Sequence, residues 1–179
     1  MTHHDKAGSV GHTMNKVTDT LGGVAGQASA AMTSSASGFA ESASISVRYE
    51  IDAANIALAR GRSGAVREAA QKMIDDHSEA TTKLKAAVQR SDQADAGDVA
   101  DKLDARRSKM IEHLNEAPDD EFDKTYIDQQ IMAHEEAVKL MHHYRDKGDC
   151  PVLRSFASEM SPIIEGHLDR MKQLEDAVA

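Results

Sequence analysis

MIDDHSEATTKL, residues 73–84, carries the pattern that decides the fold class, because its apolar residues recur at helical spacing. The same spacing extends beyond it in both directions, in alternating steps of four and three residues. The positions on this stripe are Val66, Ala70, Met73, His77, Thr81, Leu84 and Val88. Such a stripe is typical of a helix that buries one face in a hydrophobic core. The pattern therefore predicts a buried helix, with the ionisable His77 in the middle of its apolar face.

The composition of the 179-residue chain favours helices around a single core. Only three prolines occur, aromatic residues make up 3% of the chain, and few segments hold enough β-branched or aromatic residues for strands. The formal net charge of -9 and the scarcity of aromatic rings argue against nucleic-acid binding, which needs basic surfaces or stacking platforms. No apolar run is long enough to span a membrane. The first residues lack the hydrophobic stretch of a secretory signal, so we expect a cytoplasmic protein.

Helical periodicity and its breakers predict four long helices and one short helix. The expected ranges are about 38–60, 64–90, 98–115, 119–146 and a last helix from about residue 149 towards the C-terminus. Gly61 and Ser63 suit the end of the first helix and the start of the second. Two tightly linked helix pairs joined by a long crossover are typical of a ferritin-like four-helix bundle, here residues 36–179, with the short helix in the crossover. A simple up-down bundle of five helices is the alternative.

Residues 1–35 differ from the rest of the chain because they are rich in glycine, serine, threonine and alanine. Part of this segment is still periodic, with Val10, Met14, Val17, Leu21, Val24, Ala28 and Ala31 at helical steps. One interpretation is an amphipathic arm that docks on the bundle, on a second copy of the chain in a homo-oligomer, or on a membrane surface. The other is a disordered tail, because each glycine destabilises a helix by about 1 kcal/mol.

Each long helix places one ionisable residue among its inward apolar positions. The spacing that singles out His77 also singles out Glu50 in the first helix, His134 in the fourth and His167 in the last. At 1.5 Å per residue from the tight turns, the four lie at depths of roughly 18 to 27 Å. Both tight turns lie at the same end of a ferritin-like bundle, so we expect the four side chains at nearly one level.

Buried imidazoles and a carboxylate at one level need compensation, and a metal ion provides it. Neutral imidazole suits zinc, copper and iron, and one carboxylate completes a tetrahedral set. The predicted ligands are Glu50, His77, His134 and His167. The alternative is a hydrogen-bonded polar layer without metal, to which Ser46, Thr81 and Gln130 would contribute.

The spacing disfavours a di-iron oxidase or ferroxidase, because such bundles need Glu-x-x-His on two helices. Ile74, Ile131 and Ile164 stand three residues before the three histidines instead. No nucleophile-base motif or phosphate loop identifies catalytic residues or another cofactor, so no enzyme class is indicated.

Acidic and thioether side chains near the stripe are the remaining candidates. Asp75, Asp76 and Glu79 turn away from the stripe on the second helix, and we expect them to be solvated. Four methionines lie on inward stripes, where they would fill the core or bias a site towards copper. They are Met73, Met141, Met160 and Met171.

Four stretches together resemble the ferritin-like domain of unknown function 4142 family. They are FAESASISVRYEIDAANIALAR (39–60), MIDDHSEATTKL (73–84), FDKTYIDQQIMAHEEAVKLM (122–141) and LRSFASEMSPIIEGHL (153–168). The family's acid in the first helix, Asp-His pair, Phe-Asp-x-x-Tyr with a later His, and Pro with a later His fall on Glu50, Asp76–His77, 122–126 with His134, and Pro162 with His167. The resemblance implies a ferritin-like fold and a shared histidine set, with no established reaction.

Members similar to this chain are mostly bacterial and are often exported, so the resemblance makes a periplasmic location the alternative to a cytoplasmic one. The functional hypothesis is a bacterial metal-binding bundle, active in stress response or metal homeostasis. The alternative is a structural or interaction module that uses the N-terminal arm for self-association or surface docking.

Overall fold

The computed structural model describes residues 33–178 together with Thr18, Asp19 and Gly22. Residues 33–178 are all-helical, with five α-helices, a short 3-10 turn at Ala96–Asp98 and no strand. The helices are α1 (Ala36–Arg60), α2 (Gly64–Gln89), α3 (Ala105–Glu116), α4 (Phe122–Lys147) and α5 (Pro151–Val178). This architecture confirms the all-α prediction. Most of the segment 1–35, including its predicted stripe, lies outside the described residues.

Short polar caps set the helix ends. Ser63 is the predicted N-cap of α2, and its side chain accepts a hydrogen bond from the backbone N–H of Ala65 at 3.2 Å. Gly61 ends α1 in an extended conformation rather than the left-handed one. An added Cβ there would lie 2.6 Å from the Ala57 carbonyl oxygen, so close backbone approach is what requires a glycine at this turn.

Two predicted helix starts are wrong. The short helix begins at Ala105 rather than near residue 98, because Asp104 caps it through the backbone N–H of Arg107 at 2.6 Å. The fourth helix begins at Phe122 rather than residue 119, after a turn over residues 119–121. In both cases a local turn occupies the acidic stretch that the pattern assigned to the first helical turn.

The four long helices contact one another pairwise. The hairpin partners α1 and α2 pack together, as do α4 and α5, and further contacts join α1 to α4 and α2 to α5. The crossover between α2 and α4 carries the 3-10 turn and α3, which packs on α1 and α4. The α5 helix continues through Pro162. Within the described residues, no helix is both long and apolar enough to span a membrane.

A polar layer separates two apolar clusters in the interior. The first cluster contains Phe39 and Ala80, and the second contains Met73 and Tyr126. On α2, His77 lies between Met73 and Ala80, at the boundary of the two clusters. The other three candidates occupy the same boundary: Glu50 between Val47 and Ala53, His134 between Ile127 and Ala137, and His167 between Ile164 and Met171. Each candidate therefore interrupts the core at a common level.

The predicted inward stripes agree with the buried faces except near their edges. The spacing that turns His134 and His167 inward also predicts inward positions for Ile131, Val138 and Ile163, but these three residues and Thr81 are only partly buried. On α4 the buried face is instead built around Tyr126, Gln130, Ala133, Ala137, Leu140 and Tyr144. A strict repeat of four and three residues drifts relative to the 3.6-residue turn of a helix, so its outer positions leave the core.

Candidate metal centre

Three histidines from three helices meet in the polar layer. His77 on α2, His134 on α4 and His167 on α5 are 5%, 1% and 5% exposed. One nitrogen from each ring lies within 4.8 Å of the corresponding nitrogens of the other two. The ring centroids are 5.3 to 5.8 Å apart. The predicted convergence of these side chains is therefore found.

The hydrogen bond of His134 determines which of its nitrogens carries a proton. Nδ1 lies 2.8 Å from the backbone carbonyl oxygen of Gln130, one turn earlier on α4. A carbonyl oxygen only accepts hydrogen bonds, so Nδ1 carries the proton and donates it. In the neutral ring, Nε2 is then left with a lone pair that faces the other two histidines.

The ring of His167 is held by an acid from a different helix. Its Nε2 donates to Oδ2 of Asp76 at 2.7 Å, and Lys72 binds the same oxygen at 2.8 Å. Burial raises the pKa of Asp76, but the hydrogen bonds from Lys72 and His167 outweigh it and hold that pKa below its ordinary value. The ionised carboxylate places the proton on Nε2, so Nδ1 of His167 presents a lone pair inward.

Helical periodicity did not identify Asp76 as a site residue. The prediction that its side chain is solvated is wrong. It is partly buried and binds His167, whereas Asp75 and Glu79 are exposed as expected. The signal that pointed to it was the Asp-His pair of the resemblance.

The three inward nitrogens have no hydrogen-bond partner in the part of the chain that the structure describes. Nε2 of His77, Nε2 of His134 and Nδ1 of His167 are all buried and unpaired. Burial, reinforced by the other two rings, holds the pKa of His77 well below its ordinary value. Burial also lowers the pKa of His167, although the hydrogen bond to Asp76 opposes this. At neutral pH His77 and His167 are therefore uncharged and offer lone pairs.

Glu50 lies beside this group and is not a member of it. Its carboxylate on α1 is buried, and Oε1 is 3.7 Å from Nδ1 of His134, the nitrogen that already bonds Gln130. Within the described residues, the Glu50 oxygens, the Gln130 amide and the Tyr126 hydroxyl are buried and make no hydrogen bond of good geometry. Burial raises the pKa of Glu50, and His134 and the nearby Gln130 amide oppose this. The structure thus brings all four predicted residues together, with Glu50 on the far side of the His134 ring from the unpaired Nε2.

Two of the residues suggested for a polar network lie next to the centre. The Thr81 hydroxyl donates to the backbone carbonyl of His77 at 2.9 Å, and the Gln130 amide lies close enough to Glu50 to lower the pKa of that carboxyl. The four candidate methionines are buried within the two apolar clusters.

A groove of about 690 Å³ runs between α2 and α5 and reaches the centre at His167. Met73, Met160 and Ile163 supply apolar lining, and Asp76 lies beside the His167 ring. Charged side chains of both signs complete the lining: Glu68, Lys72, Glu79, Lys83 and Arg170. Of the three histidines, His167 is the one in the wall of this groove.

Comparison with known proteins identifies one family. The family described as domain of unknown function (DUF4142) matches residues 22–174, which include all four candidate residues. Neither curated proteins nor solved structures give a match. Because the family match covers most of the sequence, the chain belongs to the DUF4142 family.

Proposed function

We propose that this chain is a metal-binding protein, in which His77, His134 and His167 hold one divalent transition-metal ion inside a ferritin-like four-helix bundle. The observation that carries the proposal is the convergence of three buried imidazole nitrogens that have no hydrogen-bond partner among the described residues. Buried polar atoms in proteins are nearly always paired, so three unpaired nitrogens at one point need a shared partner.

A cation satisfies these nitrogens better than a hydrogen-bonded layer does. Protons at the far nitrogens of His134 and His167 leave both rings with lone pairs facing inward, and two acceptors cannot bond each other. His77 can donate one proton to only one of them. A metal ion accepts all three lone pairs at once and so gives each buried nitrogen the partner that it requires.

The distances fit a centre that tightens on binding. Tetrahedral coordination with metal–nitrogen bonds of 2.0–2.1 Å places ligand nitrogens roughly 3.3 to 3.4 Å apart. The nitrogens here lie within 4.8 Å of one another, so modest ring rotations bring them to bonding distance. Imidazole ligands suit zinc, copper and iron.

Glu50 completes the proposed centre as the source of negative charge. A divalent ion held by three neutral imidazoles carries its full charge into the core, and Glu50 is the carboxylate buried in that layer. Rotation of its side chain past His134 would make it the fourth ligand. Left where it is, it would neutralise part of the charge and leave a coordination position open for water.

Fold analogy and the metal centre together suggest a role in metal homeostasis or in a stress response that depends on metal supply. Without Glu-x-x-His pairs, the centre would hold a single ion rather than a carboxylate-bridged pair.

Elemental analysis of untagged protein tests the proposal. We expect about one equivalent of zinc, copper or iron per chain, and a large loss in His134→Ala. His143→Ala is the matched control, because His143 lies on the same helix outside the three-histidine group. Metal well below one equivalent in all three samples, also after incubation with each ion, would refute a metal centre.

The interaction module remains a second candidate, because Asp19 from the segment 1–35 is buried against α3 and α4. It accepts hydrogen bonds from His113 at 2.8 Å and from Gln129 at 2.8 Å. Self-association through this segment is tested by the mass of the protein in solution with and without residues 1–35. If the protein is a monomer both with and without residues 1–35, self-association through this segment is refuted.

A further inference from the structure

A buried metal centre requires a path for the ion. His77 and His134 lie in the interior between the two apolar clusters, while His167 lies in the wall of the groove between α2 and α5. The His167 ring therefore lies between the groove and the other two imidazoles. Its Nε2 is turned towards Asp76, another lining residue, and its Nδ1 is turned towards the other imidazoles.

Among the described residues, one side-chain hydrogen bond holds this ring in place. Nε2 donates to Asp76, and the other ring nitrogen has no partner there. Asp76 is held in turn by Lys72, whose side chain is 68% exposed. A ring fixed by a single bond to a partly solvated acid can swing out at little enthalpic expense, because water can replace the bond at the groove surface.

The helix that carries His167 is also weakened next to the groove. Pro162 lines the groove one turn and a half before His167 and cannot donate the backbone hydrogen bond to residue 158. A missing hydrogen bond makes that turn easier to bend. Gly166 lines the same wall, and an added Cβ there would meet no atom within 4 Å.

We infer that this groove is the route by which a hydrated divalent metal ion reaches and leaves the three-histidine centre. The His167 ring closes this route, and Asp76 holds the ring in the closed position. This inference rests on the proposed metal centre. The charges along the groove balance, because the acids Glu68, Asp76 and Glu79 lie among the cations Lys72, Lys83 and Arg170. Lys72 is paired with Asp76, and Lys83 with Glu79 and Glu159, so the groove carries no strong positive field that would repel a metal cation.

Uptake kinetics with cobalt(II) as the probe test the inference. Stopped-flow absorbance would follow cobalt binding to metal-free protein, and excess chelator would drive its release. Gly166→Phe fills the groove without touching a proposed ligand, and replacing a helical glycine favours folding. The matched control is Ala86→Phe, an exposed position on α2 that lines a different, smaller groove.

We expect both rate constants to fall together in Gly166→Phe, by about tenfold or more, with an unchanged equilibrium affinity. Ala86→Phe should behave as the unmodified protein. Wild-type uptake and release in Gly166→Phe would overturn the route while leaving the metal centre intact. Absence of cobalt binding by the unmodified protein would overturn the proposed function and the route together.

A second variant separates blockage from misfolding. Gly166→Cys, folded first and then labelled with a bulky maleimide, places the obstruction on a native protein, because Cys150 is buried. Slower uptake and release after labelling, measured against the same unlabelled sample, support the route. Identical rates before and after labelling contradict it.

Discussion

Asp76 on α2 and His167 on α5 are joined by a hydrogen bond of 2.7 Å between Oδ2 and Nε2. The residue that follows Asp76 in the chain is His77, which faces the same centre from α2. Adjacent residues of α2 therefore contribute one imidazole to the centre and orient another. This relationship ties the relative position of the two helices to the geometry of the three histidines.

Removing the Asp76 carboxylate should weaken metal binding. In Asp76→Ala the His167 ring loses the acceptor that fixes its tautomer and orientation, and loss of such a partner typically lowers metal affinity by about 10- to 100-fold. Competition with a chromophoric chelator measures the change. Asp75→Ala is the control, because Asp75 is exposed and its side chain bonds only Gln71 within the described residues. Equal affinities for the two variants would show that Asp76 does not position His167.

Metal should raise the thermal stability of the unmodified protein. An ion at about 100 times its dissociation constant adds about 2.7 kcal/mol to the folded state, which corresponds to roughly 5 to 10 °C for a chain of this size. His77→Ala should lose this response. Magnesium serves as the control ion, because it prefers oxygen ligands and should not shift the Tm. A zinc-induced shift of equal size in His77→Ala would place the ion elsewhere on the protein.

Acid should destabilise the metal-free protein. Burial holds the folded-state pKa of His77 well below its ordinary value and also lowers that of His167. The contribution of these two histidines to the free energy of unfolding is complete above their unfolded-state pKa of about 6.5. It is lost as the pH falls towards their lower folded-state pKa values, because the unfolded chain takes up the protons first. Burial raises the pKa of Glu50, which acts in the opposite direction, since the folded state then takes up that proton first.

Urea unfolding at pH 8, 7, 6 and 5.5 in the presence of chelator measures this dependence. The free energy of unfolding should decrease below about pH 6.5, and the decrease should be smaller in His77→Gln, which has no imidazole to protonate. The same pH dependence in both proteins would mean that His77 is not among the groups responsible.

Much of the fold follows from features that act within one helix. Ser63 caps α2 by accepting a hydrogen bond from the backbone N–H of Ala65, two residues later. Helical periodicity turns His77, His134 and His167 inward. Counting residues from the two tight turns then places the three rings at one level. These inferences need only the rise and pitch of a helix.

Helical periodicity does not predict which residues contact each other across two helices. Asp76 lies at the edge of its stripe, and whether an edge residue meets water or a neighbouring helix depends on how the helices pack. The bond between Asp19 and His113 joins residues 94 positions apart. Glu50 illustrates a third limit, because its level was predictable but its place behind the His134 ring depends on side-chain rotamers.

A buried ion-pair cluster between α3 and α4 should dominate the stability of the crossover. Glu136 accepts from Arg106 and from Arg107, each at 2.6 Å, and Arg107 also binds Asp104. Glu136→Gln leaves two guanidinium groups without their shared carboxylate, and losing hydrogen bonds to a charged group costs about 1.5–3 kcal/mol here, because Arg106 is partly exposed and Arg107 keeps Asp104. Urea unfolding provides the measurement. Glu112→Gln, on the exposed face of α3, should unfold like the parent protein, and equal midpoints for both variants would contradict the prediction.

Asp19 should stabilise the described part of the chain through its two buried partners. His113 on α3 and Gln129 on α4 both donate to its carboxylate. The Gln129 side-chain NH2 also donates to the backbone carbonyl of Met110 at 3.0 Å. In Asp19→Ala these donors lose their acceptor in a buried setting, which costs about 1–3 kcal/mol. Deletion of residues 1–35 should cost at least as much, because it removes the same acceptor. Asp92→Ala, at an exposed position, is the control. If the deletion and Asp19→Ala both unfold at the same urea concentration as Asp92→Ala, this contact contributes nothing to the stability of the fold.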